Sequence, residues 1–441
     1  MIEGVVHAAY RATMGAVARG SGLAARLPGA PATWQAWRGR LGPLEPGTLA
    51  MLRSGTALWL HAASVGELTA ARPLIGRLRE RYPGRLCLVS TLTESGLELA
   101  RSLPEAHLAL LFPLDAPHIV RRLLGQLRLE AFLFTETEIW PTFLCELARA
   151  HVPAIMVSGR VSARSAARAR WLRPLYRRAL AGVTCCMQTP EDAARIVALG
   201  ADPRHVHVAG SLKFDVAPGE PPPAVRRLAE ALQAAALRLV VAGSTHAGEE
   251  EIMLAAFARV ARVHPDIVLL LAPRHPERFA TVAALIEAHG LPLLRYSALL
   301  AADPPAALAG GTVVLLDAVG PLASCYGLAT AAFVGGSLVP AGGHNLLEPA
   351  RAGRPVLFGP HTEHGRDVAE RLVAGGGGVR VGSAELLAVA LDHLLAEPQR
   401  AAEMGRRARA LVESGQGALE RHLKILAARL GSARIARDAS A

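Results

Sequence analysis

Acidic and basic side chains stand where short apolar runs give way to turns, and their types could do acid–base or anion-binding chemistry. In LWLHAASVGE (58–67) a run suited to a buried strand stops at Ser64-Val65-Gly66, and the next residue is Glu67. That sets a carboxylate at the mouth of a strand–turn–helix unit, on the side of a doubly wound sheet where ligands bind. TETEIWP (135–141) places Glu136 and Glu138 after another apolar run. They would point to opposite faces if the strand continued, and Pro141 ends the element. Either acid could orient a base or stabilise developing positive charge, or merely cap a helix or pair with an arginine. In GSLKFD (210–215), Lys213 is one of only two lysines among 48 basic residues. Its survival in so Arg-biased a chain points to a compact ammonium facing a phosphate or oxyanion, with a plain surface lysine as the alternative.

The second half carries groups suited to a nucleotide. LLLAPRHPERF (269–279) sets Pro273, Arg274 and His275 straight after an apolar run. Arg274 there is a natural phosphate clamp, and His275 is a ribose ligand or a cap. AGSTHAGEEE (242–251) reads as a small polar turn that binds phosphate through its N–H groups, or as plain capping by Glu249–Glu251. FVGGSLVPAGGHNLLEPARAGRPVLFGP (333–360) is more specific: paired glycines let backbone approach a ligand, and His344-Asn345 open a helix whose N-terminus would favour phosphate. Glu348 stands where it can accept hydrogen bonds from ribose hydroxyls. The chain lacks GxxxxGK[ST] and an early GxGxxG, so neither a P-loop ATPase nor a nicotinamide enzyme fits. Its sixteen histidines are scattered without metal-ligand spacing, and neither metal nor cofactor is expected.

These residues need a scaffold, and the apolar runs supply one. Strands are expected at 57–62, 86–91, 108–112, 131–135, 153–157, 182–187 and 205–209, then at 238–243, 267–272, 312–316, 331–335 and 354–358. Continuous Val/Ile/Leu runs separated by helical patterns imply parallel sheets covered on both faces. The reading is two doubly wound α/β domains with a cleft between them, at 51–215 and 237–425. A Pro-rich linker (216–236), a basic N-terminal segment (1–50) and a basic tail (426–441) complete the chain.

A formal net charge of +11 calls for an anionic partner, and residues 160–178 alone hold seven arginines and no acid. Aromatics make up only 4% and do not interleave with basic residues, so a nucleic-acid stacking surface is not expected. The five cysteines lack C-x-x-C spacing and read as reduced core residues of a cytoplasmic protein. No window reaches the roughly 18 apolar residues of a spanning helix. Residues 1–18 suit an amphipathic segment lying on a bilayer, or a helix docked on the core.

Eight motifs in order resemble the signatures of 3-deoxy-D-manno-octulosonic acid (Kdo) transferases, bacterial lipid A glycosyltransferases of the GT-B fold. They are HAASVGE (61–67), TLTESG (91–96), TETEIWP (135–141), GRVSARS (159–165), GSLKFD (210–215), STHAGEE (244–250), APRHPER (272–278) and FVGGSLVPAGGHNLLEPA (333–350). The resemblance runs from about residue 34 to about 425. It implies transfer of Kdo from CMP-Kdo to the lipid A precursor, with inversion, at the cytoplasmic face of the inner membrane. By the same resemblance Glu67 is the general base, Glu136 and Lys213 stabilise the transition state, and no cofactor takes part. CMP would be held by Pro273, Arg274, Val319, Gly320, Pro321, Asn345, Leu346, Leu347 and Glu348. Acceptor phosphates would meet Ser64, Gly66, Arg160, Ser162, Arg164 and Ser165, and the basic segments an anionic membrane surface. The chain departs from the family at Val319-Gly320-Pro321-Leu322, where members commonly read G-E-L and a carboxylate is missing here. The hydrophobic anchor helix that opens many relatives is not evident either. Two other readings share the architecture: a nucleotide-sugar 2-epimerase using UDP, and a non-catalytic membrane-surface binder.

Overall fold

The computed structural model describes residues 2–24, 39–41, 44–216, 220–301 and 308–438. The chain forms two units, residues 1–216 with 415–441, and residues 217–414.

In the first unit the apolar runs become β1 (Thr56–His61), β2 (Leu86–Thr91), β3 (Leu108–Leu111), β4 (Arg128–Thr135), β5 (Ala154–Gly159), β6 (Thr184–Met187) and β7 (Val206–Val208). They form one parallel sheet in the order β3-β2-β1-β4-β5-β6-β7. Alternation along β1 divides the core. Trp59 faces Phe112, Phe132 and Phe143, while Leu58 and Leu60 face Leu68, Leu74 and Ile75 of the helix Val65–Arg81. The Trp59 ring meets Phe132 and Phe143 edge-on at 5.5 and 5.2 Å, the geometry that opposes a negative ring face to a positive edge.

The second unit repeats the plan with β8 (Arg238–Thr245), β9 (Ile267–Pro273), β10 (Leu293–Arg295), β11 (Val313–Leu315), β12 (Ala329–Val334), β13 (Val356–Phe358) and β14 (Gly378–Arg380). Its parallel order is β10-β11-β9-β8-β12-β13-β14. Strand order reverses at β1/β4 in one sheet and at β8/β12 in the other. In doubly wound sheets, ligands bind beyond the carboxyl ends of the strands at such reversals.

Three boundaries differ from those expected. The helix Pro223–Ala234 occupies much of the stretch read as linker, burying Ala224, Val225, Leu228 and Leu232 in the second unit. Proline is compatible with a first helical turn, because the N–H it lacks has no intrahelical partner there. Residues 217–219 of that stretch lie outside the described residues. The second unit ends at 414 rather than 425, because Leu423, Leu426 and Leu430 of the helix Ala418–Asp438 join the core around Leu58 and Leu60. Most of the expected basic tail is therefore helical.

The helix Ile2–Ala24 docks on the first unit. Tyr10 donates to Asp115 at 2.9 Å, Arg11 pairs with Glu146 at 3.3 Å, and Ala18 packs with Leu114 and Ala116. Burial pushes the Asp115 carboxyl up to about 6, against the pull of its three donors Tyr10 O–H, Thr142 N–H and Phe143 N–H. The opposite face shows Val5, Ala8, Ala9, Ala12, Ala16 and Val17 to solvent, together with Arg19. No helix among the described residues is long and apolar enough to cross a membrane. Residues 25–38 and 42–43 of the basic N-terminal segment lie outside the described residues.

Candidate functional site

Glu67 stands in the first turn of the helix Val65–Arg81, just beyond β1 and one step from the β1/β4 reversal. Ser64-x-x-Glu67 is a capping box: the Ser64 hydroxyl accepts from Glu67 N–H at 3.3 Å, and the Glu67 carboxylate turns back toward the strand. Its Oε2 accepts from Ala63 N–H at 3.0 Å and from the Thr135 hydroxyl at 2.5 Å, while Oε1 accepts from Ser64 Oγ at 3.2 Å. Thr135 is the last residue of β4, so that strand and the turn after β1 together fix this one carboxylate. Burial raises the Glu67 pKa above its ordinary value, and the nearby Glu136 and Glu138 charges add to that. The Thr135 and Ala63 donors oppose the rise. The result is a partly buried carboxylate, more basic than an exposed one, with lone pairs left for an incoming hydroxyl.

β4 does not continue past Thr135, so Glu136 and Glu138 do not alternate on a strand. Glu136 takes a left-handed backbone (φ 50°), a conformation that costs a non-glycine residue about 1 kcal/mol or more. Its N–H donates to Val157 O at 3.1 Å and its carboxylate receives Lys213 Nζ at 2.7 Å. Glu138 turns the other way, accepting from Trp140 Nε1 at 3.1 Å and standing 3.7 Å from Nε2 of His61. Burial lowers the pKa of His61, which is fully enclosed at the end of β1 and hydrogen-bonds Ser90 O through Nδ1 at 3.1 Å.

The structure thus brings Glu67, Glu136 and Lys213 to the carboxyl edge of one sheet. Arg160, Ser162, Arg164 and Ser165 follow β5 on that same edge, with Arg164 and both serines exposed. The two serines serve the start of the helix Ala163–Ala169, Ser162 Oγ accepting from Ser165 N–H at 3.0 Å. Gly66 is exposed in the first turn of the Glu67 helix.

In the second unit the organising residue is Glu249, which is fully buried. Its Oε1 accepts from the N–H groups of Ser337 and Leu338 at 2.9 and 2.8 Å, and its Oε2 from those of Gly336 and His246 at 2.7 and 2.9 Å. Four backbone donors on one carboxylate lock the turn after β12 to the turn after β8. Glu250 pairs inward with Arg278 at 3.0 Å. The acidic run is therefore more than helix capping.

The glycines of this loop make room for the chain's own imidazoles. Gly336 (φ 66°) and Gly342 (φ 89°) adopt left-handed backbone, and a Cβ on them would lie 2.8 Å from the His344 ring and 2.5 Å from the His364 ring. Nε2 of His344 lies 2.8 Å from Nε2 of His246, which requires one proton between two ring nitrogens. Burial, with the His246 ring and the Arg274 guanidinium nearby, pushes His344 down to about 4. His275 meets the His246 ring edge-on at 5.3 Å. Arg274, exposed after Pro273, donates its N–H to Thr245 O at 2.9 Å. The Arg274 guanidinium beside neutral imidazole donors at the β8/β12 reversal suits an anion.

The helix near Asn345 opens later than expected, at Leu347, and has only five residues. Asn345 Oδ1 accepts from Leu347 N–H at 3.1 Å and its Nδ2 donates to Glu348 Oε1 at 3.0 Å. Leu346 and Leu347 are core residues, and burial raises the Glu348 carboxyl. Pro321 caps the short helix Leu322–Cys325, whose continuation Tyr326–Leu328 packs beside Leu347–Arg351. Gly320 (φ 113°) and Val319, 83% exposed, leave backbone accessible in this stretch. Among the described residues no group of three His, Cys, Asp or Glu side chains is disposed to hold a metal. All five cysteines are buried and unpaired.

Residues 35–216 match the 3-deoxy-D-manno-octulosonic-acid transferase (kdotransferase) family. A 3-deoxy-D-manno-octulosonic acid transferase of Bordetella pertussis is 37% identical, over 89% of this chain and 91% of its own length. One of Haemophilus influenzae is 31% identical, over 84% and 86%. Among solved structures, a UDP-GlcNAc 2-epimerase from Neisseria meningitidis bound to UDP-GlcNAc superposes with a TM-score of 0.56 at 13% identity, covering 84% of this chain and all of that one. That likeness is one of fold: the two-domain α/β architecture of GT-B proteins.

Proposed function

Because this chain belongs to the 3-deoxy-D-manno-octulosonic acid (Kdo) transferase family, we propose that it moves Kdo from CMP-Kdo to the lipid A precursor with inversion, and that Glu67 is the general base. The observation that carries this reading is the Glu67 carboxylate itself, held by β4 and the turn after β1 and made more basic by burial. Glu67 takes the proton from an acceptor hydroxyl as that oxygen bonds to the anomeric carbon, and CMP leaves with the electron pair of the broken bond. Glu136 opposes the positive charge that develops at the sugar, and Lys213 offsets the charge on the departing phosphate. Pro273, Arg274 and Asn345–Glu348 hold CMP, with the backbone at Val319–Pro321 replacing the missing carboxylate. The test is release of CMP from CMP-Kdo with and without a tetra-acylated, bis-phosphorylated glucosamine disaccharide. Release that requires the acceptor supports the reading, and acceptor-independent release contradicts it.

The base must be ionised to act, so its raised pKa sets the acidic limb of the kcat/KM profile above the range of an exposed carboxylate. Thr135→Val removes a donor that lowers that pKa. The acidic limb should then move to higher pH, with less change in rate on the alkaline plateau. A limb that stays in place or moves down would contradict Glu67 as the titrating base.

The same reading places the protein at the cytoplasmic face of the inner membrane, on an anionic surface. Trp171 is 82% exposed, and Leu172 beside it is also exposed, within the Arg-rich 160–178 stretch. The helix Ile2–Ala24, whose outer face is mostly small and apolar with Arg19 exposed on it, packs against Arg173–Ala179. Apolar groups flanked by arginines suit the headgroup boundary of an anionic bilayer. Trp171→Ser combined with Val5→Asp should weaken co-sedimentation with phosphatidylglycerol vesicles by about tenfold. Unchanged partitioning would rule this surface out.

A further inference from the structure

We propose that His422, on the helix Ala418–Asp438, is a positioning residue for the Glu136–Lys213 pair, so that the returning C-terminal helix belongs to the catalytic apparatus. The inference rests on the reading of Lys213 as a group that acts on the leaving phosphate.

The segment that carries Lys213 is clasped at both ends by this helix. At one end Arg421 Nε donates to Ala209 O at 2.8 Å, and its guanidinium fills the space beside Gly210 (φ 88°), where a Cβ would lie 2.8 Å from it. At the other end Asp215 accepts from Gly417 N–H at 2.7 Å and Leu419 N–H at 2.6 Å, closing the first turn of the helix. His422 is the third tie and reaches farthest. It is fully enclosed; Nδ1 donates to Ala418 O at 2.7 Å, which leaves the Nε2 lone pair to accept Ser158 N–H at 3.0 Å. Burial pushes the ring down to about 4, so it stays neutral and keeps that lone pair near neutral pH.

Ser158 is where the two halves of the ion pair meet. It sits in left-handed backbone (φ 50°) near the end of β5, and the pairing of β5 with β6 shifts register there. Its Oγ accepts from Leu212 N–H at 3.0 Å, the residue before Lys213. The carbonyl just before it, Val157 O, accepts the N–H of Glu136 at 3.1 Å. A left-handed serine persists only when its surroundings hold it. His422 supplies the bond to its N–H, and Gln188 holds its carbonyl at 2.9 Å. From that one residue, one bond leads toward Lys213, and the carbonyl just before it leads to Glu136. Loss of the His422 acceptor frees Ser158, and the Lys213 ammonium drifts from the place the reaction needs it. A shift of this kind lowers turnover more than it weakens substrate binding.

A double-mutant cycle tests this with the full chain, CMP-Kdo and the lipid acceptor at saturation. His422→Ala should lower kcat about tenfold with KM for CMP-Kdo within about twofold, and His422→Gln, which restores an acceptor, should recover most of the loss. In a Lys213→Ala background the same His422→Ala change should cost nothing further. A wild-type kcat in His422→Ala, or the same loss with or without Lys213, overturns the proposal. A wild-type kcat in Lys213→Ala overturns instead the reading of Lys213 on which it rests. If His422→Ala does not fold, Ser158→Ala replaces it in the cycle. It removes the acceptor for Leu212 N–H, leaves the helix intact, and should show the same dependence on Lys213.

Discussion

Glu67→Gln should slow Kdo transfer by about 10²–10⁴-fold, the range over which a positioned base contributes, while the protein stays folded. Glutamine matches glutamate in shape. Its carbonyl can still accept from Thr135 and Ala63, whose bonds to Glu67 Oε2 measure 2.5 and 3.0 Å. What it lacks is a site for the acceptor's proton, so the change isolates the chemistry. Only the Ser64 hydroxyl, which donates to Oε1 at 3.2 Å, would have to turn and accept from the amide nitrogen instead, so stability should change by less than about 1 kcal/mol. Initial rates beside thermal unfolding separate the two effects. Glu67→Asp withdraws the carboxylate by about one methylene and should fall between them, since proton transfer needs contact at hydrogen-bond distance. A Glu67→Gln enzyme that turns over at the wild-type rate would strip Glu67 of its role.

Glu249→Ala should destabilise the second unit by roughly 3–5 kcal/mol, because several enclosed backbone donors lose their shared acceptor at once. The buried carboxylate accepts from His246, Gly336, Ser337 and Leu338, and alanine leaves four backbone donors to find water or go unpaired. Each buried orphan costs about 1–3 kcal/mol, although not all would stay dry. Glu249→Gln should also be costly, because its amide nitrogen would face donors with a donor. The turn it holds carries His246 and leads to His344, so KM for CMP-Kdo should rise along with the loss of stability. Denaturant unfolding of the full chain and donor titration measure the two. A loss below about 1 kcal/mol would show that the turn holds its shape without Glu249.

How legible all this is in the sequence depends on how far apart the partners lie. Each of the twelve expected strands corresponds to an observed strand, because buried parallel strands need continuous apolar runs. The two unforeseen strands, Leu293–Arg295 and Gly378–Arg380, lie at sheet edges and each end in an arginine that cuts the apolar run short. Glu67 is visible because its turn is local: strand, Ser64, two residues, acid, helix. Lys213 is visible by rarity. Glu249 hides inside a run that reads as ordinary capping, since three of its four donors lie 87 or more residues away. His422 has no local signature at all: its partner Ser158 is 264 residues distant. The second unit's end is missed for a related reason. The helix Ala418–Asp438 is ordinary in sequence, and only the core it joins assigns it to the first unit. The paired glycines mislead in the opposite direction: their pattern suggests space for a ligand, and the space beside Gly336 and Gly342 holds His344 and His364.

The measurement that bears most directly on the central claim is mass spectrometry of the tetra-acylated lipid A precursor after incubation with CMP-Kdo and either wild-type or Glu67→Gln protein. The wild type should add Kdo to the lipid, the mass increments counting the sugars, and Glu67→Gln should add almost none in the same time. An unmodified lipid after incubation with the wild type, in a detergent that supports a known transferase, would contradict the account.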